Sequence, residues 1–176
     1  MKVKFKFAIL SLFLGPLVSG PHRFNSAFFC ERSNMPQAHA IQHEIAVRAD
    51  PSKVHNAVAT RDGLRGWNTS HVAGTGSVGT EWVLSYPGRP EFAWRVDRSD
   101  DHGVVWTCIR GPGDSVGTTV EYALTSLPDG RTRISVTHAG WPHQQGNFTK
   151  CNTLWGALLF HLKTFVESDS PAPALS

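Results

Sequence analysis

The sequence predicts an α+β domain in which a curved, seven-stranded antiparallel sheet wraps one long C-terminal helix. Three observations predict it. From Asn147 to Glu167, apolar side chains recur at steps of three and four, the period of a helix with one buried face. Between Ile41 and Trp141, short stretches alternate apolar and polar residues, the period of half-buried strands. Clusters of Pro, Gly and Asp punctuate those stretches at the spacing of a meander.

At 176 residues, 40% hydrophobic and 18% charged, the chain has room for a single domain with a sizeable core. Residues 1–38 read as a leader outside the fold, 39–168 as the domain and 169–176 as a flexible Pro/Ala/Ser tail. Lys2, Lys4 and Lys6, the apolar run Phe7–Val18 and the small residues Val18-Ser19-Gly20 have the pattern of a secretory signal. Translation starting at Met35 explains the same composition shift. The first reading implies export and the second a cytoplasmic protein. The apolar run, broken by Gly15-Pro16, is too short to span a membrane. Residues 1–34 carry Lys2, Lys4, Lys6, Arg23 and Arg32 against Glu31, a net +4, so the overall +3 leaves −1 for the remainder. A nearly neutral domain lacks the basic face that nucleic acid requires.

The elements follow in order. Ile41, His43, Ile45 and Val47 alternate with polar neighbours as a first strand. Asp50-Pro51 is an N-cap followed by a proline at the first helical position, and Val54, Ala57 and Val58 give a short apolar face. Leu64 and Trp67 mark a second short helix, and together the two close one end of the sheet. Six strands follow: 71–75, 80–86, 91–98, 104–110, 118–127 and 131–139. Alternation turns Trp82, Leu84, Phe92, Trp94, Val96, Val120, Tyr122, Leu124, Ile134, Val136 and His138 inward, and Val104, Trp106 and Cys108 are placed with them.

The final helix runs from Asn147, a candidate N-cap, to the stop at Ser168-Asp169-Ser170-Pro171. Phe148, Cys151, Leu154, Trp155, Leu158, Leu159, Leu162, Phe165 and Val166 share an arc of roughly 140°. Lys150, Thr153, Lys163, Thr164 and Glu167 fall on the solvent side. An inner face that includes Trp82, Trp94 and Trp106 is bulky for one helix. Such a sheet can stand off and leave a cavity.

Here the chain resembles the START-like, or Bet v 1-like (SRPBCC), helix-grip superfamily. Within it, the likeness is to the small proteins related to the C-terminal domain of the Hsp90 ATPase activator and to polyketide cyclases. It is carried by Ile45-Ala46-Val47-Arg48-Ala49-Asp50-Pro51, Leu64-Arg65-Gly66-Trp67 and Gly79-Thr80-Glu81-Trp82. Thr137-His138-Ala139-Gly140-Trp141 and Cys151-Asn152-Thr153-Leu154-Trp155 extend it. Family members often carry two adjacent tryptophans where this chain has Trp67-Asn68. The resemblance implies the helix-grip fold and, among the activities this superfold hosts, carriage of lipids, cyclisation or cochaperone work.

The remaining motifs narrow the chemistry. Gly74-x-Gly76-x-x-Gly79 matches a dinucleotide fingerprint as a string, but a strand follows it where the mechanism needs a helix. Ser77 lacks the glycine-flanked elbow of a serine hydrolase. Cys30, Cys108 and Cys151 make no disulfide framework, and the pairs His138/His143 and His39/His43 lack a third ligand. No metal or cofactor is expected. His138 and Tyr122 are the candidate catalytic residues, as base and as acid or oxyanion partner; the competing reading makes His138 a core imidazole. The candidate ligand-binding set is Trp67, Trp82, Trp94, Trp106, Tyr122, His138, Trp141, Trp155, Leu158 and Leu159. The expected partner is a small hydrophobic or amphipathic molecule. A cyclase-like or hydrolase-like enzyme in the same cavity, and an Hsp90-activator-like module with an unspecified protein partner, are the alternatives.

Overall fold

The computed structural model describes residues Ala38–Leu175. Apart from Ala38, the expected leader lies outside the described residues. The chain forms β1 (His39–Val47), α1 (Pro51–Ala59), α2 (Arg61–Trp67), β2 (His71–Ala73), β3 (Glu81–Ser85) and β4 (Phe92–Asp100). Next come β5 (Gly103–Arg110), a 3₁₀ turn (Gly113–Ser115), β6 (Thr119–Ser126), β7 (Thr132–Trp141) and α3 (Asn147–Ser168). The seven strands lie in the order β1-β7-β6-β5-β4-β3-β2, every pair antiparallel. Strands β2 to β7 are a meander; β1 joins at its far edge, and α1 and α2 carry the chain across. This is the expected helix-grip architecture. Among the described residues, no helix is long and apolar enough to cross a membrane.

The alternation sorts the faces as expected. Trp82, Leu84, Trp94, Val96, Val104, Trp106, Cys108, Val120, Tyr122, Leu124, Ile134, Val136 and His138 are all buried. The outer face is polar and internally paired: Arg98 meets Glu121 at 2.8 Å and Arg133 meets Glu44 at 3.2 Å. Four local features depart from expectation. The strand expected over 71–75 ends at Ala73, because Gly74 takes φ 126° and turns the chain away. The register slips at Asp97, so that Arg98 faces Val105 and Ser99 faces Val104. That bulge reverses the alternation and lets Ser99 meet His55 of α1 at 3.2 Å.

The third departure is at the start of α3. Gly146, at φ 62°, holds the N-cap position, and Asn147 is the first helical residue. The Asn147 amide donates to Pro112 O at 2.7 Å and Asp114 Oδ1 at 2.9 Å, tying the helix to the 3₁₀ turn instead of capping it. Fourth, the described part of the expected flexible tail returns to the fold. The amides of Ala172, Ala174 and Leu175 donate to the carbonyls of Gly66, Trp67 and Asn68, satisfying acceptors left open at the end of α2.

The far end of α3 secures the free edge of β1. Lys163 Nζ donates to Ala46 O at 3.0 Å, and Glu167 Oε1 accepts from Arg48 N–H at 2.8 Å. Lys163, expected on the solvent side, is therefore bonded to strand backbone. Helices α1 and α2 approach closely at Gly63, where an added Cβ would lie 2.2 Å from Asn56 O. Those obstructing atoms are helix backbone and cannot rotate aside. Gly63→Ala should destabilise the fold by about 1–3 kcal/mol in a denaturant titration.

Candidate ligand-binding cavity

Between the inner face of the sheet and α3 lies a cavity of about 570 Å³. It exists because the aromatic side chains of the middle strands pack on one another. Trp94, Trp106 and Tyr122 stand on β4, β5 and β6, with ring centroids 6.5 Å apart for the first pair and 5.3 Å for the second. Phe92 stacks on Trp94 at 5.7 Å and 8°. From α3, Trp155 reaches down edge-on to Tyr122 at 5.7 Å. The backbone of α3 approaches β1, α1, α2 and the 3₁₀ turn most closely, leaving the space over the central strands open. Buried Trp106, Val120, Tyr122 and His138 form the floor, whereas exposed Arg89, Pro90, Thr149, Lys150 and Thr153 mark the mouth.

The cavity divides the expected set. Trp94, Trp106, Tyr122, His138, Trp155 and Leu158 line it. Trp67, Trp82, Trp141 and Leu159 do not; they are core. Trp67 donates its indole N–H to Ala57 O at 2.9 Å and packs α2 onto α1. Lys150 and Thr153, expected to project from the solvent side of the helix, line the mouth. Alternation had already turned Leu84, Phe92 and Val120 inward. Tyr86 continues the alternation of Trp82 and Leu84 along the strand expected over 80–86, although β3 itself ends at Ser85; Asn68 and Arg89 come from connections, where no periodicity operates. Leu175 comes from the returning tail, whose composition carries no signal of it.

The floor carries two polar groups without a protein partner, the Tyr122 hydroxyl and the Trp106 indole N–H. Burial pushes the Tyr122 phenol well above its usual range, so it stays neutral and can donate. An unpaired buried hydroxyl costs free energy that its removal returns. Tyr122→Phe should therefore leave the thermal midpoint unchanged or raise it. At the rim, Tyr86 donates to Asn68 Oδ1 at 3.0 Å.

His138 is differently placed. The Trp155 indole can only donate, so its 3.2 Å contact makes His138 Nδ1 an acceptor. The neutral ring then carries its proton on Nε2 and donates to Thr118 Oγ1 at 2.9 Å, which passes a hydrogen bond to Ser115 O at 2.6 Å. Burial alone pushes the imidazole down to about 4. Both nitrogens are occupied by protein, so accepting a substrate proton would break the Trp155 bond. The partners are side chains rather than the backbone expected for a core imidazole. Cys151 also lines the cavity, but burial, with Asp114 adding to it, pushes its thiol up to about 11 and keeps it protonated at neutral pH.

The family model described as Activator of Hsp90 ATPase homolog 1-like protein matches residues 48–167. The chain belongs to that family. The match runs from just after β1 to the last turn of α3, so it contains every cavity-lining residue except Leu175. The solution structure of the Aha1 dimer from Colwellia psychrerythraea is similar, with 28% identity and a TM-score of 0.68, over 74% of this chain and 97% of that one. CalU16 from Micromonospora echinospora has 19% identity and a TM-score of 0.63, over 77% of this chain and 69% of its own. DynU16, described as a putative protein in the dynemicin biosynthetic locus, has 17% identity and a TM-score of 0.62, over 78% and 49%. At those two identities the likeness is one of fold alone, and the shared fold is the helix-grip architecture described above. A comparison with curated proteins gives no match.

Proposed function

We propose that this chain binds a small, largely apolar molecule in the cavity between the sheet and α3. The observation that carries the reading is a cavity of about 570 Å³ with aromatic walls and two unpartnered donors on its floor. A ligand with a flat body finds the Phe92–Trp94 stack along one wall. An oxygen on that ligand can accept from Tyr122 Oη–H or Trp106 Nε1–H, satisfying groups that are otherwise costly to bury. The test is energy transfer from tryptophan to pyrenebutanol added to the full chain. Saturation at one equivalent is expected, and non-saturating transfer counts against the cavity.

An enzyme in the same cavity is the second reading, favoured by the free Tyr122 hydroxyl as an oxyanion partner. His138, held by Trp155 and Thr118, supports it poorly as a base. Mass spectrometry of a bound molecule before and after incubation separates the two: a carrier returns it unchanged. The likeness to the Aha1 dimer favours a third reading, an interaction module. That module needs a contiguous apolar surface, whereas the exposed Val78 and Val116 sit in two separate connections and Phe160 on α3.

A further inference from the structure

Resting on the binding reading, we infer that the cavity selects an amphiphile with an anionic head, a carboxylate held at the mouth by Arg89 and Lys150. The first support is a distribution of charge. Lys53, Arg65, Arg95, Arg98, Arg110, Arg131, Arg133 and Lys163 are all in ion pairs. Among the described residues, Arg48, Arg61, Arg89 and Lys150 are the cations outside any ion pair, and two of those four line the cavity. No Asp or Glu lines it. Asp114, the carboxylate beside Cys151, accepts from the Asn147 amide at 2.9 Å through Oδ1, while its Oδ2, 3.7 Å from His143, is buried without a hydrogen-bond partner.

The second support is the setting of Lys150. It lies in the first turn of α3, a helix of 22 residues with no acidic side chain there. That end of a helix already carries partial positive charge, so a lysine is unfavourable in it and an arriving anion is favourable. Asn147 and Thr149 of the same turn also line the cavity. Third, the buried, unpartnered Tyr122 hydroxyl and Trp106 N–H stand on the floor of this same space, where a ligand can reach both. Cations occur only among the exposed lining residues, and the floor is aromatic. A bound amphiphile is therefore oriented, with its head at the mouth and its flat body within. The guanidinium offers a carboxylate two parallel donors and the ammonium adds a point charge.

The test compares pyrenebutyrate with pyrenebutanol, which share a body and differ in the head, using energy transfer from tryptophan in the full chain. Wild-type protein should bind pyrenebutyrate at least about ten-fold more tightly at low salt, the scale of a charge-assisted hydrogen bond. The double variant Arg89→Gln/Lys150→Gln should bring the affinity ratio close to one. Arg48→Gln/Arg61→Gln removes the same charge away from the cavity and should leave the ratio as it was. Thermal melts confirm that each variant is folded. Equal binding of the two probes by wild type overturns the anionic head and leaves the cavity reading standing. A preference that survives in the Arg89/Lys150 variant, or that falls equally in the Arg48/Arg61 variant, also overturns it. Binding of neither probe overturns both readings.

Discussion

Leu159→Ala should cost roughly 2–5 kcal/mol of folding free energy, the range for truncating a leucine in a close-packed core. Leu159 is 2% exposed and lies outside the cavity lining, so its removal leaves a new void. Leu158 is its neighbour on the same stripe but forms part of the cavity wall. It already faces open space, has fewer contacts to lose, and Leu158→Ala should cost less. Phe160, 66% exposed on the outer side of α3, should change stability by no more than about 0.5 kcal/mol when replaced by alanine. Urea titrations of the three variants give the ranking. Equal losses at Leu159 and Phe160 would contradict the assignment of helix faces.

Acidification should remove about 3 kcal/mol of stability between pH 6.5 and 4, with His138 as the source. The ring is neutral in the folded state, its value pushed down to about 4, whereas the unfolded side chain titrates near its ordinary 6.5. Below pH 6.5 the unfolded state therefore binds a proton that the folded state refuses, and stability falls until the folded ring also protonates. Above that window the contribution does not vary with pH. No charged group contributes to the shift, so added salt should leave it nearly unchanged. His138→Gln removes the titration. The difference between the wild-type and variant stability curves should be flat above pH 6.5 and slope between 6.5 and 4. A difference that is flat throughout would mean that the imidazole is accessible to solvent protons.

Much of the fold was legible because two periodicities carry it. The stripe from Phe148 to Val166 marks α3, and alternation along β3, β4, β6 and β7 assigns the large inward side chains between Trp82 and His138, with Val104, Trp106 and Cys108 of β5 placed beside them. The features missed depend on interactions that no period encodes. The bulge at Asp97 reverses the face of Ser99, and Asn147 spends its amide on Pro112 and Asp114. The tail returns to α2 through backbone hydrogen bonds available to many sequences. The candidate site was legible in part. Alternation says which indoles point inward, but whether an inward indole is packed or faces space depends on how far the helix stands off. Trp82 and Trp94 share a face, yet Trp82 is core and Trp94 lines the cavity. For His138 the sequence indicates position and leaves the tautomer open, because Trp155 and Thr118 reach it from other elements.

The occupied cavity is tested most directly by the indole N–H signals in a proton–nitrogen correlation spectrum, assigned by single Trp→Phe replacements, as pyrenebutanol is titrated into the full chain. The expected result is that Trp94, Trp106 and Trp155 shift together and saturate, while Trp67, Trp82 and Trp141, buried off the cavity, move little. Trp106 should move most, since its N–H has no protein partner before the ligand arrives. Shifts spread evenly over all six, or confined to the three non-lining indoles, would contradict a ligand site between the sheet and α3.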